Sequence, residues 1–331
     1  MESRKLGQSP VKISRIVFGA WAIGGWMWGG TEEKESIEAI QAGIDNGMTT
    51  IDTAAIYGMG YSEELVAKAI KGRRERVVIA TKCGLRWDTD EGSDPWPQQD
   101  ASGKVFTIRK NSKEQSIFYE CEQSLKRLGV DVIDLYQIHW PDSQTSIEDA
   151  WNAMVKLKQQ GKVRAIGVSN YDLNQLREAH AIYPVDSIQP AYSLIRREIE
   201  EDIVPFCKQE QISILAYSPL ERGLLTGKVT LDRQFSKDDH RSKYSLFSLE
   251  NRKKILSDLE KIKPIAEKYH ATLAQVVLCS TLRANVVDAV IVGARNASQA
   301  IENAKASTLK LTDQECQFVI DLLSHESSIT K

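Results

Sequence analysis

Val132-Ile133-Asp134-Leu135-Tyr136-Gln137-Ile138-His139 is a short apolar run. It leads into a helical stretch, Ile147–Gln160, stopped by Gly161, and then into a second apolar run, Val163–Ser169. Brief apolar runs of this kind suit strands covered on both faces. The same unit recurs outward in both directions. Candidate strands lie at Ile16–Ala20, Thr49–Asp52 and Val77–Lys82 on one side, and at Ser187–Gln189, Ser213–Tyr217 and Ala289–Val292 on the other. Glu33–Asn46 places Ile37, Ile40 and Ile44 on one helical face and ends at Gly47, and Lys113–Leu128 ends at Gly129. Glycine is the usual residue just past a helix, where the backbone turns left-handed. Eight strand–helix alternations predict an α/β fold, a closed parallel (β/α)8 barrel of the TIM type that takes residues 1–331 as one domain. Periodicity alone also admits a doubly wound open sheet.

Three segments stand outside the alternation. Leu6-Gly7-Gln8-Ser9-Pro10-Val11 is a turn between two extended pieces, which predicts an N-terminal hairpin across the barrel floor. Helical patterns at Asn251–Tyr269 and Thr272–Ala284 both fall between the seventh and eighth strands, so one is an extra helix. Residues 84–112 carry Pro95, Pro97 and several aspartates and show no clear element. A long loop after a barrel strand lies on the face where such folds build their sites.

The 331 residues are 42% hydrophobic and 27% charged, with a formal net charge of −2. That balance suits a globular protein and offers nothing to a polyanion, so no nucleic-acid partner is expected. Cys83, Cys121, Cys207, Cys279 and Cys316 are odd in number and widely spaced. Free thiols in a reducing compartment, and no metal site, are the expectation. Neither a secretory signal nor a run long enough to span a bilayer is evident, so the expected setting is the cytoplasm, away from membranes.

Polar residues collect at the C-terminal ends of the strands. Asp52 ends the second, Tyr57 follows it, Lys82 ends the third and His139 ends the fourth. Singly, Asp52 reads as a strand-end cap, Tyr57 as a loop aromatic and His139 as a core or surface histidine. Lys82 is the least ordinary, because an unpaired buried lysine is costly. Neighbouring strand ends of a barrel converge, which would put all four groups in one pocket. A nearby ammonium would stabilise the phenolate and so lower the pKa of a phenol. Asp52 would keep Lys82 charged, Tyr57 would act as a general acid toward a carbonyl oxygen, and His139 would donate to the same oxygen.

These residues resemble the aldo-keto reductase tetrad. The motifs are Asp52-Thr53-Ala54-Ala55-Ile56-Tyr57-Gly58 with Ser62-Glu63, Thr81-Lys82, Asp134 through Asp142, and Gly161 through Asn170. The resemblance runs from the Leu6-Gly7 hairpin to the helix near Leu322. The segment from Trp21 to Gly30 looks like the bacterial family 11 branch that includes the Bacillus general stress reductases. The resemblance implies NADP(H) as cofactor and a small carbonyl compound as substrate. It implies that Tyr57 donates the proton, supported by Lys82, Asp52 and His139. Ser169, Asn170 and Gln189 match residues that hold the nicotinamide carboxamide, and Tyr217 the aromatic stacked on that ring. Ser218, Pro219, Leu220, Glu221, Arg222, Gly223 and Leu224 match the loop around the pyrophosphate, with Lys228 after it. Gly293, Ala294, Arg295, Gln299, Glu302 and Asn303 match the adenosine-phosphate site. Ala20 and Trp21 match the approach to nicotinamide and substrate.

The chain departs from the pattern where other branches have lysine and serine in place of Gly293 and Ala294, and arginine in place of Gln299. The 2′-phosphate would then rest mainly on Arg295, one guanidinium being enough for a bidentate contact. Among Trp21, Trp26, Trp28, Trp87 and Trp140, Trp21, Trp87 and Trp140 are the candidates to line the substrate pocket. A strand–GxGxxG–helix fingerprint is absent, so a Rossmann domain is not indicated. Two other functions fit the same scaffold. One is a regulatory or binding module like the potassium-channel β-subunits; the other is a Schiff-base lyase using Lys82.

Overall fold

The structure is a computed structural model, and it describes residues 2–24, 32–100, 103–235 and 239–324. Trp26 and Trp28 lie outside the described residues. In chain order the elements are β1 (Ser3–Lys5), β2 (Lys12–Ser14), β3 (Ile16–Gly19), α1 (Glu33–Asp45), β4 (Thr50–Asp52), α2 (Tyr61–Ile70) and β5 (Val78–Cys83). There follow β6 (Leu85–Arg86), β7 (Ser93–Gln99), β8 (Val105–Lys110), α3 (Glu114–Leu128), β9 (Ile133–Ile138), α4 (Ile147–Gln159), β10 (Val163–Ser169) and α5 (Leu173–Ile182). The chain continues through β11 (Ser187–Gln189), α6 (Ile203–Glu210), β12 (Ser213–Tyr217), α7 (Leu249–Lys268) and α8 (Leu273–Arg283). It ends with β13 (Ala289–Gly293), α9 (Ala297–Lys305) and α10 (Asp313–Ser324).

Strands β3, β4, β5, β9, β10, β11, β12 and β13 pair in that order, each parallel to the next, and β13 closes back on β3. Closure excludes the open doubly wound sheet. The expected strands are all present, with ends moved by a residue or two. Helix starts are set by side-chain caps such as Ser146 for α4 and by capping boxes at Asp172 and Thr272. Gly47, Gly129 and Gly161 all take positive φ, as their place after helices demands.

Apolar residues form two shells. Inside the barrel, Val17, Ala80, Leu135, Ala165, Leu215 and Ala289 pack onto Leu6, Val11 and Ile13 of the β1–β2 hairpin, which therefore plugs the floor. Between strands and helices runs the larger cluster, with Ile40 and Ile44 of α1 fully buried and Ile37 packed at its edge. Both α7 and α8 lie between β12 and β13, so the seventh unit does carry an additional helix. Among the described residues, no helix is long and apolar enough to cross a membrane.

The expectation for residues 84–112 is corrected. They form a three-stranded antiparallel sheet in the order β6–β8–β7, laid over the C-terminal mouth of the barrel beside Tyr57. Trp96 pairs with Ile108 and Gln98 with Phe106. Pro95 and Pro97 are tolerated because β7 is an edge strand, where a missing N–H breaks no ladder on the open side.

Candidate active site

Asp52 closes β4 with 3% of its surface exposed, and Lys82 lies near the end of β5 at 1%. Lys82 Nζ donates to Asp52 Oδ1 at 2.7 Å and to the Thr53 carbonyl at 2.9 Å. Asp52 Oδ2 accepts from Gln189 Nε2 at 2.8 Å. An ion pair this deep is tolerable because both partners are also hydrogen-bonded to neutral groups.

Tyr57 sits in the turn after β4, which Ser62 pins by donating to the Ala20 carbonyl at 3.0 Å and bonding Thr53 Oγ1 at 2.9 Å. Gly58 follows at φ +62°, and a Cβ there would lie 2.4 Å from the Gly24 carbonyl oxygen, so this turn requires glycine. The Tyr57 ring meets His139 edge-on at 5.7 Å, and Lys82 Nζ stands 5.2 Å from its centroid. His139 is the first residue past β9 and extends the ladder by donating its N–H to the Cys83 carbonyl at 2.9 Å. The structure thus brings all four tetrad candidates together.

Their electrostatics differ from expectation in one respect. Burial pushes the Tyr57 phenol well above its ordinary value, and the Asp52 charge pushes the same way. Burial lowers Lys82, with Asp52 opposing. Lys82 directs its hydrogen bonds at Asp52 and Thr53, so its charge does not offset the desolvation of the phenol. Tyr57 is therefore held protonated rather than acidified. Burial and Lys82 together push His139 well below its usual range, leaving a neutral ring with one N–H to donate.

Ser169, Asn170, Gln189 and Tyr217 join the same network. Tyr217 Oη donates to Asn170 Oδ1 at 2.9 Å, Asn170 Nδ2 to Ser169 Oγ at 3.0 Å, and Ser169 Oγ to the Gln189 carbonyl at 2.8 Å. Asn170 takes φ +60° to turn its amide onto this cluster. Sequence reasoning missed Gln137, which is fully buried on β9 with Oε1 3.5 Å from Gln189 Nε2 and Nε2 without a partner. An isolated glutamine within an apolar strand was the available signal. It also gave no role to Glu63, fully buried, which accepts from Thr81 Oγ1 and Arg127 Nε, both at 2.6 Å.

The loop after β12 is irregular, with positive φ at Ser218, Glu221, Arg222 and Gly223. Pro219, Leu220, Glu221 and Leu224 turn their side chains inward, so only their backbone could meet a cofactor. The Glu221 carboxylate instead accepts from Ser193 Oγ at 2.7 Å and pairs with Arg196. Arg222 lies over the Tyr244 ring at 3.7 Å, and its Nε and Nη1 are buried without partners. Orphaned guanidinium donors in an open turn fit the pyrophosphate of a dinucleotide. Across from them, Lys228 Nζ pairs with Glu302 at 3.3 Å. Arg295 and Gln299 are exposed at the start of α9 and joined by a 2.9 Å bond from the Arg295 N–H to Gln299 Oε1. Ala294 is buried, and Asn303 Nδ2 braces the Gly293 carbonyl at 3.1 Å.

Of the pocket tryptophans, Trp21 and Trp87 pack with Tyr57 around Ala54, Ile56, Leu85 and Ile108. Trp140 does not; it is 40% exposed at the rim, 6.0 Å from Lys110 Nζ. Met59, Trp96 and Phe106 complete the wall instead. A cleft of about 300 Å³ opens where the chain leaves β6, between Trp87 and Phe106, with Asp88, Thr107 and Arg109 on its sides. Among the described residues, no group of three or more His, Cys, Asp or Glu could hold a metal ion.

The family model described as the aldo/keto reductase family matches residues 15–322. The chain is 40% identical over 320 residues to aldo-keto reductase YhdN of Bacillus subtilis, covering 95% of this chain and 92% of that protein. It is 33% identical over 334 residues to the NADH-specific methylglyoxal reductase of Escherichia coli, covering 97% and 98%. Among solved structures, the glycerol dehydrogenase AKR11B4 of Gluconobacter oxydans superposes with a TM-score of 0.85 at 36% identity, covering 97% and 96% of the two chains.

Proposed function

The chain belongs to the aldo/keto reductase family, and on that premise we propose that it reduces small aldehydes and ketones to alcohols with NADPH. The observation that carries this reading is the buried Asp52 carboxylate, held by Lys82 at 2.7 Å and Gln189 at 2.8 Å beside a protonated phenol. A reduced nicotinamide, if bound there, would supply the hydride that the carbonyl carbon needs. Tyr57 Oη gives its proton to the carbonyl oxygen, so the product is the neutral alcohol and Tyr57 is left as the phenolate. Lys82 places positive charge 5.2 Å from that ring. Neutral His139 donates its N–H to the same oxygen and fixes its direction. Ser169, Asn170 and Gln189 offer the hydroxyl and amide groups that a carboxamide needs, and Tyr217 offers a flat ring at the end of β12.

Lys82 as a Schiff-base nucleophile fits poorly, since its amine is committed as a donor to a carboxylate and a carbonyl. NADP(H) is favoured over NAD(H) because Arg295, exposed at the head of α9, can take a 2′-phosphate. One relative is named for NADH, so the choice rests on that residue. A reducing, cytoplasmic setting is part of the same proposal, argued from five cysteines that are odd in number and widely spaced. The test is consumption of NADPH and of NADH, side by side, with 4-nitrobenzaldehyde. Turnover with NADPH at the lower KM is expected; consumption of neither cofactor would overturn the reading.

A further inference from the structure

Asp142, three residues beyond His139, is 8% exposed and accepts four hydrogen bonds. Oδ1 accepts from Ser93 Oγ at 2.5 Å and from the Gln144 N–H at 3.1 Å. Oδ2 accepts from the Ser112 N–H at 3.0 Å and from Thr145 Oγ1 at 2.7 Å. Three separate segments therefore meet on one carboxylate: the start of β7, the junction between β8 and α3, and the loop that carries His139. Burial works against this charge, but the donors from Ser93, Ser112, Thr145 and Gln144 outweigh it and hold the carboxyl below its ordinary range.

The neighbourhood shows that the contact fixes a sheet rather than a loop end. Asp94, next to Ser93, takes φ +47° and is held by Lys110 Nζ at 3.1 Å, where the β7–β8 register slips. Gly92 takes φ +128°, and a Cβ there would lie 2.3 Å from the Lys110 carbonyl oxygen. From this anchored corner β7 and β8 run out to Trp96 and Phe106, which pack with Tyr57 around one apolar cluster. A shift at the corner would therefore move the aromatic wall relative to His139.

We propose that Asp142 and Ser93 form a latch that positions the β6–β8–β7 sheet over the carbonyl site and sets which substrates reach Tyr57. Asp142 and Ser93 touch neither substrate nor cofactor in this account; both are positioning residues. The inference rests on the reductase reading for its kinetic consequence, but not for its structural one.

Ser93→Ala deletes the bond to the sheet and leaves the other three. Asp142→Asn keeps the shape, yet each carboxylate oxygen accepts one backbone N–H, so either amide orientation opposes N–H to N–H. Thr145→Ala deletes a bond confined to the His139 loop and serves as the control. For wild type and the three variants, KM and kcat are measured with acetaldehyde and with 4-nitrobenzaldehyde, and hydrogen exchange is followed at β7. Ser93→Ala is expected to raise KM for the aryl aldehyde about two- to tenfold, the range of one lost hydrogen bond. Its kcat with acetaldehyde should hold and β7 exchange should quicken. Asp142→Asn should do the same more strongly, and Thr145→Ala should do neither. Equal effects of Thr145→Ala and Ser93→Ala, or unchanged KM and unchanged exchange in Ser93→Ala, would overturn the latch. A wild type that turns over neither aldehyde would overturn the reductase reading instead, and the exchange comparison would still decide the latch.

Discussion

Glu120 is a carboxylic acid with 3% of its surface exposed, accepting from the Gly84 N–H at 3.0 Å and, more weakly, from Ser116 Oγ at 3.4 Å. Burial pushes it from 4.5 up to about 8, with the Gly84 N–H opposing. Between those values the folded chain holds a proton that the unfolded chain has released. Its contribution to stability is therefore full below the unfolded value and is lost as pH rises through about 8. Glu120→Gln cannot ionise and should flatten the fall in Tm across that window; an unchanged slope would contradict the assignment. His139 and Tyr57 are displaced in opposite senses, one kept neutral and one kept protonated. Reduction should accordingly show no inflection near ~6.5, where an ordinary histidine titrates. At Arg295, loss of a charge-assisted hydrogen bond worth ~1.5–3 kcal/mol predicts that Arg295→Ala weakens NADPH binding roughly ten- to hundredfold and spares NADH. Equal losses in a fluorescence titration would place the phosphate elsewhere. The grouping of Asp52 with Lys82 was legible in the sequence because a lysine at the end of the apolar run Val77–Ala80 demands a partner, and Asp52 supplies one. Asp142 and Gln137 were not, because their roles depend on which segments the fold brings to them.

At the scale of elements, the barrel strands were legible because runs of Val, Ile and Leu have no other home in a chain punctuated by helix-ending glycines. The sheet over residues 84–112 was not. Its inward face is carried by Trp96, Phe106 and Ile108, but the alternating positions are Pro, Gln and Thr, which read as loop. The second residue of its edge strand, Asp94, takes positive φ, a break that hides the period. The same packing makes a prediction. Gly92→Ala adds a methyl group 2.3 Å from the Lys110 carbonyl oxygen, so the β7–β8 corner must move. KM for aryl aldehydes should rise and proteolysis within 84–112 should quicken, while far-ultraviolet circular dichroism stays that of the barrel. Loss of the barrel signal would show that the sheet is not a separable layer.

At the scale of the molecule, eight strand ends converge on one mouth, and distant residues such as Asp52 and Gln189 become hydrogen-bonded neighbours. The hairpin plug closes the other end. Leu6, fully buried there, should cost ~2–5 kcal/mol when cut to alanine, read as a lowered Tm with the tetrad chemistry intact. That separation of floor from mouth is what lets the site be probed without unfolding the protein. Tyr57→Phe removes one oxygen atom from a half-buried ring at the mouth and leaves the hydrogen bonds of Lys82 and Gln189 to Asp52 in place. The measurement is NADPH-dependent reduction of 4-nitrobenzaldehyde by this variant, alongside its affinity for NADPH. General acid catalysis contributes ~10²–10⁴-fold, so the rate should fall by at least that order with cofactor binding retained. Turnover near wild type with NADPH still bound would contradict Tyr57 as the proton donor.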